Sequence, residues 1–533
     1  LLLIACVNTA NLLLAKGLER SQEVALRLTL GGSRSGLIRL FLLESLLLGL
    51  LSGLAGLLFA YLAVRGLVYL RPGGIPRLDD LALDGRVLLF GLLVSLAAGI
   101  LSGLMPALRT SAVDLQSSLK EGAAAAKGGA RSHRLAGGLV IAELALALLG
   151  LLGAGLMVRN FLALQDVDPK FDAHNLLTFQ IYMSPQTYPT DEARAQYTRR
   201  MLEELQNLPG ASSAAIASSL PFSPISILVE TVIEGNVLGK DDAKPRADWR
   251  IVSQGYFETL KIGLVSGRTF TEADREGSEY VAVVDAGLAR RFWPDQDPLG
   301  KKVKVLTSRR QESDEPWRRV VGVVERVRSL GLDAEVMDQV YTPNQQFPNS
   351  RFAAVGLRTI GDPMNLARSA QEAVWKVDPN QPTEDVSSMA EIVAESLSGR
   401  RSYSLLMTLA AAISLVLAIL GIYGVMAHSV ALRSREIGIR KALGAQSGTV
   451  LKNLVARGMT LAGLGALVGL ALFALLLLLW RQVIAGLLVD ISPGDALTIV
   501  TVTFTLLAVA ALATVLSARK ALQIDPVQAL RQD

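Results

Sequence analysis

The stretch that decides the fold is Arg433-Ser434-Arg435-Glu436-Ile437-Gly438-Ile439-Arg440-Lys441-Ala442-Leu443-Gly444-Ala445, a short basic segment between two apolar runs. Those runs, Leu405–Ala427 and Met459–Leu479, are each about as long as a helix that crosses a hydrocarbon core. On a helix, Glu436 and Arg440 form a favourable i,i+4 ion pair, and Gly444 is placed as a C-terminal cap. The segment is therefore predicted to be a short amphipathic helix held between two membrane spans.

The same pattern occurs near the start of the chain, within Glu19–Gly32, at a constant offset of 413 residues (436 − 23 = 413). Glu23, Arg27 and Gly31 take the places of Glu436, Arg440 and Gly444. In both copies an apolar run precedes the motif and two follow it. The chain is therefore predicted to hold two copies of one membrane block.

Composition also indicates an integral membrane protein. Of 533 residues, 51% are hydrophobic and only 19% are charged, and the mean hydropathy is +0.39. The single cysteine excludes a disulfide-stapled scaffold. Lipid cannot satisfy exposed backbone polar groups, so each long apolar run must be a helix. Spans are predicted at Leu37–Val64, Val87–Leu108, Leu135–Val158, Leu405–Ala427, Met459–Leu479 and Ala496–Leu516, and Leu1–Ala15 is interpreted as the end of a seventh helix in an N-terminally truncated chain.

The orientation follows from Lys and Arg, which are concentrated in alternate short loops, including the two that carry the repeated motif. Those loops are assigned to the cytoplasm. Residues about 159–400 are therefore predicted to be extracytoplasmic. The predicted organisation is a first block at 1–122, a cytoplasmic linker at 123–134, a transmembrane helix at 135–158, an extracytoplasmic domain with a stalk at 159–400 and a second block at 401–533.

The extracytoplasmic domain is predicted to be α+β. Apolar runs predict strands at Leu176–Ile181, Ala214–Ser218, Val281–Val284, Val320–Val324 and Ala353–Leu357, and helices near Glu192–Leu208, Ala286–Phe292 and Asn365–Val377. The stretch Ser387–Arg401 is interpreted as an amphipathic helix that runs into the span at Leu405. A membrane-protruding stalk and a plain linker helix both fit that pattern. Trp293 and Trp317 are predicted to be core residues.

The repeated basic segment has two interpretations that the residues alone leave open. A short amphipathic helix with basic residues suits a groove on a cytoplasmic partner. It also suits an interfacial helix that lies on anionic lipid headgroups. Repetition of the motif favours a partner with two equivalent docking sites.

The segment at 433–445 resembles the signature of the FtsX-like permease superfamily, the membrane subunits of type VII ABC transporters. The outer segment resembles a MacB-like periplasmic core domain in Tyr256-Phe257, Gly267-Arg268-Thr269-Phe270, Pro298-Leu299-Gly300 and Tyr341-Thr342-Pro343. Two such blocks in one chain without an ATPase are similar to the duplicated orphan permeases (ADOP-type). The fold implied is α-helical, with about seven transmembrane helices in two FtsX-like repeats and an α+β extracytoplasmic domain.

The resemblance also implies a mechanism, in which a separate cytoplasmic ABC ATPase dimer moves the two coupling helices and the long helices pass the motion outward for export or efflux. ATP-Mg is expected on that ATPase, and no cofactor on this chain. Expected partners are the ATPase, the bilayer and periplasmic or outer-membrane proteins, but not nucleic acid. The implied coupling residues are Arg433, Glu436, Ile437, Gly438, Arg440, Lys441, Leu443 and Gly444 in the second half, and Arg20, Glu23, Val24, Arg27, Leu30 and Gly31 in the first.

Other chemistry finds no support in the sequence. No Walker A motif is present, so the chain is expected not to hydrolyse ATP and not to be an enzyme. The three histidines and Cys6 show no metal-ligand spacing. Glu44 and Glu143 lie inside predicted spans, where ionisable residues are functional candidates. A structural role is the favoured interpretation of both.

Two competing functions remain. A regulatory membrane protein that controls an extracytoplasmic enzyme or sensor also fits two blocks around an outer domain. An ion-coupled transporter fits if Glu44 or Glu143 carries protons.

Overall fold

A computed structural model describes residues 2–19, 33–70, 84–110, 124–223, 226–236, 243–307, 311–334, 336–347, 351–432, 447–488 and 491–522. These residues form two compact units. One comprises Leu1–Ala163 and Gly399–Asp533, and the other comprises Leu164–Ser398. Each unit is described by itself below.

The first unit consists of long apolar helices. They are α1 (Leu2–Glu19), α2 (Arg34–Leu70), α3 (Gly85–Thr110), α4 (Ala124–Gln165), α10 (Ser398–Leu432), α11 (Ser447–Leu487) and α12 (Ala496–Leu522). Six of these helices, α2 to α4 and α10 to α12, are long and apolar enough to cross a membrane. They contain the six predicted spans, and α1 coincides with the shorter seventh run. The prediction of a multi-pass helical membrane protein is confirmed.

The second unit contains eleven strands and five helices within the described residues. The strands are β1 (Leu176–Tyr182), β2 (Ala211–Ala217), β3 (Leu228–Ile233), β4 (Arg246–Val252), β5 (Leu264–Gly267), β6 (Val281–Asp285), β7 (Lys302–Val305), β8 (Arg318–Val324), β9 (Gln339–Pro343), β10 (Phe352–Thr359) and β11 (Glu384–Ser388). The helices are α5 (Asp191–Gln206), α6 (Tyr256–Leu260), α7 (Ala286–Phe292), α8 (Ala367–Val377) and α9 (Met389–Ser396). All five predicted strands and all three predicted helices are present.

The strands make two connected arrangements. In the first, the order β11-β1-β10-β2, with α5 after β1 and α8 after β10, is that of a split β-α-β unit. In the second, β4-β3-β7-β8-β6-β9 closes on itself, because β4 also pairs in parallel with β9. A single residue pair, Ala217 with Val252, joins β2 to β4. The ring is therefore an insertion between the second and third strands of the split β-α-β unit.

Side chains of β1 alternate between the two faces of its sheet, as the two-residue period of a strand requires. Leu177, Phe179 and Ile181 are buried with side chains of α5 and α8. Leu176 lies on the opposite face, in a cluster that includes residues of α6 and Met389 at the start of α9. Thr178 and Gln180 share this second face.

A buried ion pair lies on β4. Arg250 and Asp248 are almost wholly inaccessible, with Arg250 Nε 3.0 Å from Asp248 Oδ2, and Arg250 Nη1 donates to the Ser219 carbonyl at 3.1 Å. Burial alone would lower the pKa of Arg250, but the neighbouring Tyr256 and Asp248 outweigh it and hold that pKa above its usual value. Arg250 is therefore a fixed positive charge inside the outer unit.

A second charged cluster surrounds Asp172. Its Oδ2 is 2.7 Å from Lys261 Nζ and 3.4 Å from Arg358 Nη1. Burial acts to raise the pKa of Asp172, but the bonds from Lys261 and His174 and the charge of Arg358 outweigh it and lower the pKa to about 2. The cluster joins the segment before β1 to β10 and to the residue after α6.

Two predictions about the outer unit need correction. The stalk is not one helix from Ser387, because Ser387 belongs to β11, Ser388 caps α9 at Glu391 N, and Leu397 separates α9 from α10. Trp317 is 42% exposed and lies under Lys304 Nζ instead of in the core, whereas Trp293 is buried as predicted. Lys304 belongs to β7, so Trp317 packs on the sheet from outside.

Candidate functional site

The predicted coupling residues lie outside the described part of the chain. This holds for Arg20, Glu23, Val24, Arg27, Leu30 and Gly31, and for Arg433, Glu436, Ile437, Gly438, Arg440, Lys441, Leu443 and Gly444. The helices on either side of both segments are described. The candidate site is therefore the set of helix contacts through which a movement of those segments would pass.

Both predicted coupling segments lie between equivalent pairs of helices. The first stands between α1 (Leu2–Glu19) and α2 (Arg34–Leu70), and the second stands between α10 (Ser398–Leu432) and α11 (Ser447–Leu487). Because the two motifs are 413 residues apart, α1 corresponds to α10 and α2 to α11.

A close contact between the second and third helices also recurs in both blocks, with its partners exchanged. In the first block, a Cβ added to Gly103 of α3 would collide with the side chain of Ser45 on α2. In the second, the glycine is Gly458 of α11, and its added Cβ would lie 2.5 Å from Thr514 Cγ2 on α12. Ser45 corresponds to Gly458 (458 − 45 = 413), and Gly103 corresponds to Thr514 (514 − 103 = 411, as for Asp114 and Asp525), so the glycine and the hydroxyl residue have changed sides. Each block keeps one glycine and one hydroxyl residue at this contact.

The blocks contact each other through α1 and α10. Asn8 Nδ2 donates to the Leu417 carbonyl at 3.1 Å, and Asn8 is only 6% exposed. Ile4 of α1 is buried in the same hydrophobic cluster as Ile422 and Met426 of α10. The equivalent helices of the two blocks therefore pack against one another.

Helix α4 is the most buried of the six long helices. Its apolar stretch is 50% buried, against 6% for that of α2. Cβ atoms added to Gly465 and Gly469 of α11 would lie 2.7 Å from Leu144 Cβ and 3.2 Å from Ala145 Cα, both on α4. Glycine at these positions lets the two helix backbones approach closely.

Helix α4 also contacts α10, at Glu143 and Gly421. Glu143 is fully buried, and an added Cβ on Gly421 would overlap its carboxylate. Neither carboxylate oxygen has a hydrogen-bond partner among the described residues. Glu143 therefore fills a notch that only glycine provides. Glu44, the other predicted candidate, is not part of this contact.

An ionic clamp joins α4 to α12 near their outer ends. Arg159 Nη1 donates to Asp495 Oδ2, which also accepts from Thr498 N at 2.8 Å and Thr498 Oγ1 at 2.6 Å. Asp495 thus caps α12 and holds α4 at once. Sequence reasoning missed both the clamp and the Gly421 notch. An Asp three residues before a Thr at the start of an apolar run was the available signal for the clamp.

A model of the FtsX-like permease C-terminal domain matches residues 1–115 and 408–526, and a model of the MacB-like periplasmic core domain matches residues 136–391. The chain belongs to the FtsX-like and MacB-like permeases. The double match confirms the duplicated block. The outer unit is the extracytoplasmic domain of this family, and we call it the outer domain.

Known relatives agree with this assignment. The chain is 28% identical over 301 residues to the ABC transporter permease YknZ of Bacillus subtilis, covering 53% of this chain and 69% of YknZ. It is 27% identical over 291 residues to the macrolide export ATP-binding/permease protein MacB of Neisseria meningitidis, covering 53% of this chain and 43% of that protein. The chain thus spans less than half of MacB.

Solved structures similar to the outer domain have also been found. The periplasmic region of MacB from Actinobacillus actinomycetemcomitans aligns with a TM-score of 0.28 and 17% identity, over 41% of this chain and 91% of that one. The extracellular domain of YknZ from Gram-positive bacteria aligns with a TM-score of 0.26 and 16% identity, over 39% of this chain and all of that one.

Proposed function

We propose that this chain is the permease subunit of an ABC-type transporter, which couples ATP hydrolysis by a separate cytoplasmic ATPase dimer to movement of its outer domain and so to export of a substrate. Its relatives support the ABC permease class, and the chain itself carries no Walker A motif. It acts in this proposal as a mechanical link. ATP-Mg binds the partner, and the bacterial inner membrane is the location.

One observation carries the proposal. Helix α10 is 35 residues long and is continuous from Ser398 to Leu432. At about 1.5 Å per residue it extends roughly 50 Å, more than the thickness of a hydrocarbon core. The predicted coupling segment begins at the next residue, Arg433, and only Leu397 separates the other end from α9 of the outer domain. A single helix thus connects the predicted docking segment to the outer domain.

The contacts of α4 support a concerted movement. Gly421 ties α4 to α10, Gly465 ties it to α11, and the Asp495 clamp ties it to α12. Because of these contacts, a displacement of α10 carries α4 with it. Helix α4 also leads into the outer domain at β1. The outer domain is then moved at both of its connections to the membrane block.

The docking role is tested with charge reversals on both coupling segments. Full-length tagged protein carrying Glu23→Lys and Glu436→Lys is purified from bacterial membranes, and co-purifying proteins are identified by mass spectrometry. The expected result is loss of an ABC ATPase that the wild type retains, with membrane insertion unchanged. Glu121→Lys, outside both segments, is the control. An ATPase that is retained undiminished by the double variant contradicts docking at these segments.

We further propose that the two blocks of one chain replace the two subunits of a permease homodimer. The contact of Asn8 with α10 supports this, because it joins equivalent helices of the two blocks. Native mass measurement of the complex in nanodiscs tests it. One permease chain for two ATPase chains is expected, and two permease chains contradict the proposal.

A further inference from the structure

The outer domain contains a cavity of about 450 Å³ on the face of the split β-α-β sheet that is turned away from α5 and α8. Its walls come from β1, β11, α9 and the turn at 220–223. The volume lies within the range of sites that hold drug-sized molecules, roughly 300–1,000 Å³. All of these elements belong to the outer domain. None of its described lining residues lies in the membrane helices.

The floor of the cavity is apolar. Leu220, Phe222, Ala354 and Ile392 line it and belong to, or pack against, the hydrophobic cluster under the sheet. Phe222 is held by its backbone, since its N–H donates to the Ser329 carbonyl at 2.7 Å, and by its ring, which meets Phe171 edge-on at 5.8 Å. The floor is thus preformed, as apolar ligand sites usually are.

The rim of the cavity is polar and acidic. Asp385 and Glu395 are exposed on it, and no salt bridge involves either of them within the described residues. None of the described lining residues is Lys or Arg. The Gln180 side chain also lines the cavity and has no hydrogen bond in the described part of the chain. Two carboxylates beside an apolar floor complement a ligand that is apolar and cationic.

A local irregularity places Asp385 on the rim. The pairing of β1 with β11 shifts register between Thr178 and Gln180, which leaves Asp385 and Val386 outside the regular ladder. Asp385 accordingly adopts φ +52°, a left-handed conformation that aspartate tolerates better than most residues. Bulges of this kind re-aim side chains beside binding sites. In a regular ladder without this shift, successive side chains of β11 would alternate strictly between the two faces of the sheet.

We propose that this cavity is a binding site for small amphiphilic cations, with the apolar body on the Leu220–Phe222 floor and the positive charge beside Asp385 and Glu395. This goes beyond the permease function proposed above and does not depend on it, because binding here needs no ATPase.

Tetraphenylphosphonium and tetraphenylborate test the proposal, because they match in size and apolar surface and differ in the sign of their charge. Binding of each to the full chain in phosphatidylcholine nanodiscs is measured by equilibrium dialysis, with empty nanodiscs as the reference. The phosphonium ion is expected to bind the protein-containing discs in excess of the reference, and the borate ion is not. Asp385→Asn and Glu395→Gln should each weaken phosphonium binding by about fivefold, the effect of one unit-charge pair at about 4 Å in a watery environment.

Two further variants complete the design. Glu203→Gln removes one carboxylate from the exposed side of α5, behind the sheet, and should leave binding unchanged. Ala354→Leu adds volume at the cavity floor and should abolish it. Equal binding of the two ions, or an equal loss in Glu203→Gln and Glu395→Gln, overturns the proposal. So does phosphonium binding that survives both carboxylate substitutions together.

Discussion

Replacing Gly421 with alanine tests whether α4 and α10 are in contact at Glu143. An added Cβ would lie 2.6 Å from Glu143 Cδ, whereas non-bonded carbon atoms prefer about 3.5–4.0 Å, so the buried Glu143 side chain or the helices must shift by roughly 1 Å. Overpacking of this kind costs about 1–3 kcal/mol. Gly463→Ala on α11 is the control, because nothing lies within 4 Å of its added Cβ, and it should instead gain about 0.5–1 kcal/mol of helix stability.

The single cysteine provides the assay. Cys6 lies half-buried in α1, and a maleimide dye that fluoresces on reaction reports its exposure as detergent-solubilised protein is heated. Gly421→Ala should unfold at a lower temperature than wild type, and Gly463→Ala at an equal or higher one. In Glu143→Ala the carboxylate is missing, so the space beside Gly421 is free. Adding Gly421→Ala to that variant should therefore lower the unfolding temperature only slightly.

The reasoning fails if Gly421→Ala and Gly463→Ala unfold alike. It fails equally if Gly421→Ala destabilises the Glu143→Ala protein as much as the wild type, since the cost would then not come from the carboxylate. A coupling free energy of about 0.5–3 kcal/mol between the two positions is the expected signature of direct contact.

Three other outcomes are expected. Asp248→Asn should lower the free energy of unfolding of the outer domain by about 3–5 kcal/mol, because Arg250 stays buried without its carboxylate; urea unfolding by tryptophan fluorescence measures this, and a change near zero would contradict the pairing. Asp495→Ala should destabilise the membrane unit by about 1–2 kcal/mol in the dye assay, more than Asp495→Asn, which still caps α12; equal effects of the two substitutions would contradict the capping role. Because the pKa of Asp172 falls to about 2 on folding, its stabilisation is complete above about pH 4 and is lost as the pH drops toward 2; Asp172→Asn should remove about 2 kcal/mol of that pH dependence, and an unchanged acid transition would contradict it.

The membrane helices were predictable because lipid leaves the chain few alternatives. A run such as Leu37–Val64 has to be helical, and the structure places it inside α2. The strands with continuous apolar runs, such as Val281–Val284, were predictable for a related reason, since they are buried on both faces. By contrast, β3 and β4 carry charged residues among their apolar ones, including the internal pair Asp248 and Arg250, and gave no clear pattern.

The contacts that make up the candidate site were not predictable from local sequence. Glu143 meets Gly421 only because two distant helices pack together, and one glycine among many in an apolar run carries no mark of that role. The break at Leu397 was missed because no proline stands there and the nearest glycine, Gly399, lies inside α10. The cavity draws its lining from four separate segments, so its existence depends on tertiary packing.

The exchanged contact between the second and third helices of each block makes the halves non-interchangeable. If α2 paired with α12, Ser45 would face Thr514 and two hydroxyl side chains would compete for one space. If α11 paired with α3, Gly458 would face Gly103 and leave a gap. Both mispairings are penalised while both correct ones fit, so a chain that contains two copies of one fold can still assemble each copy from its own helices.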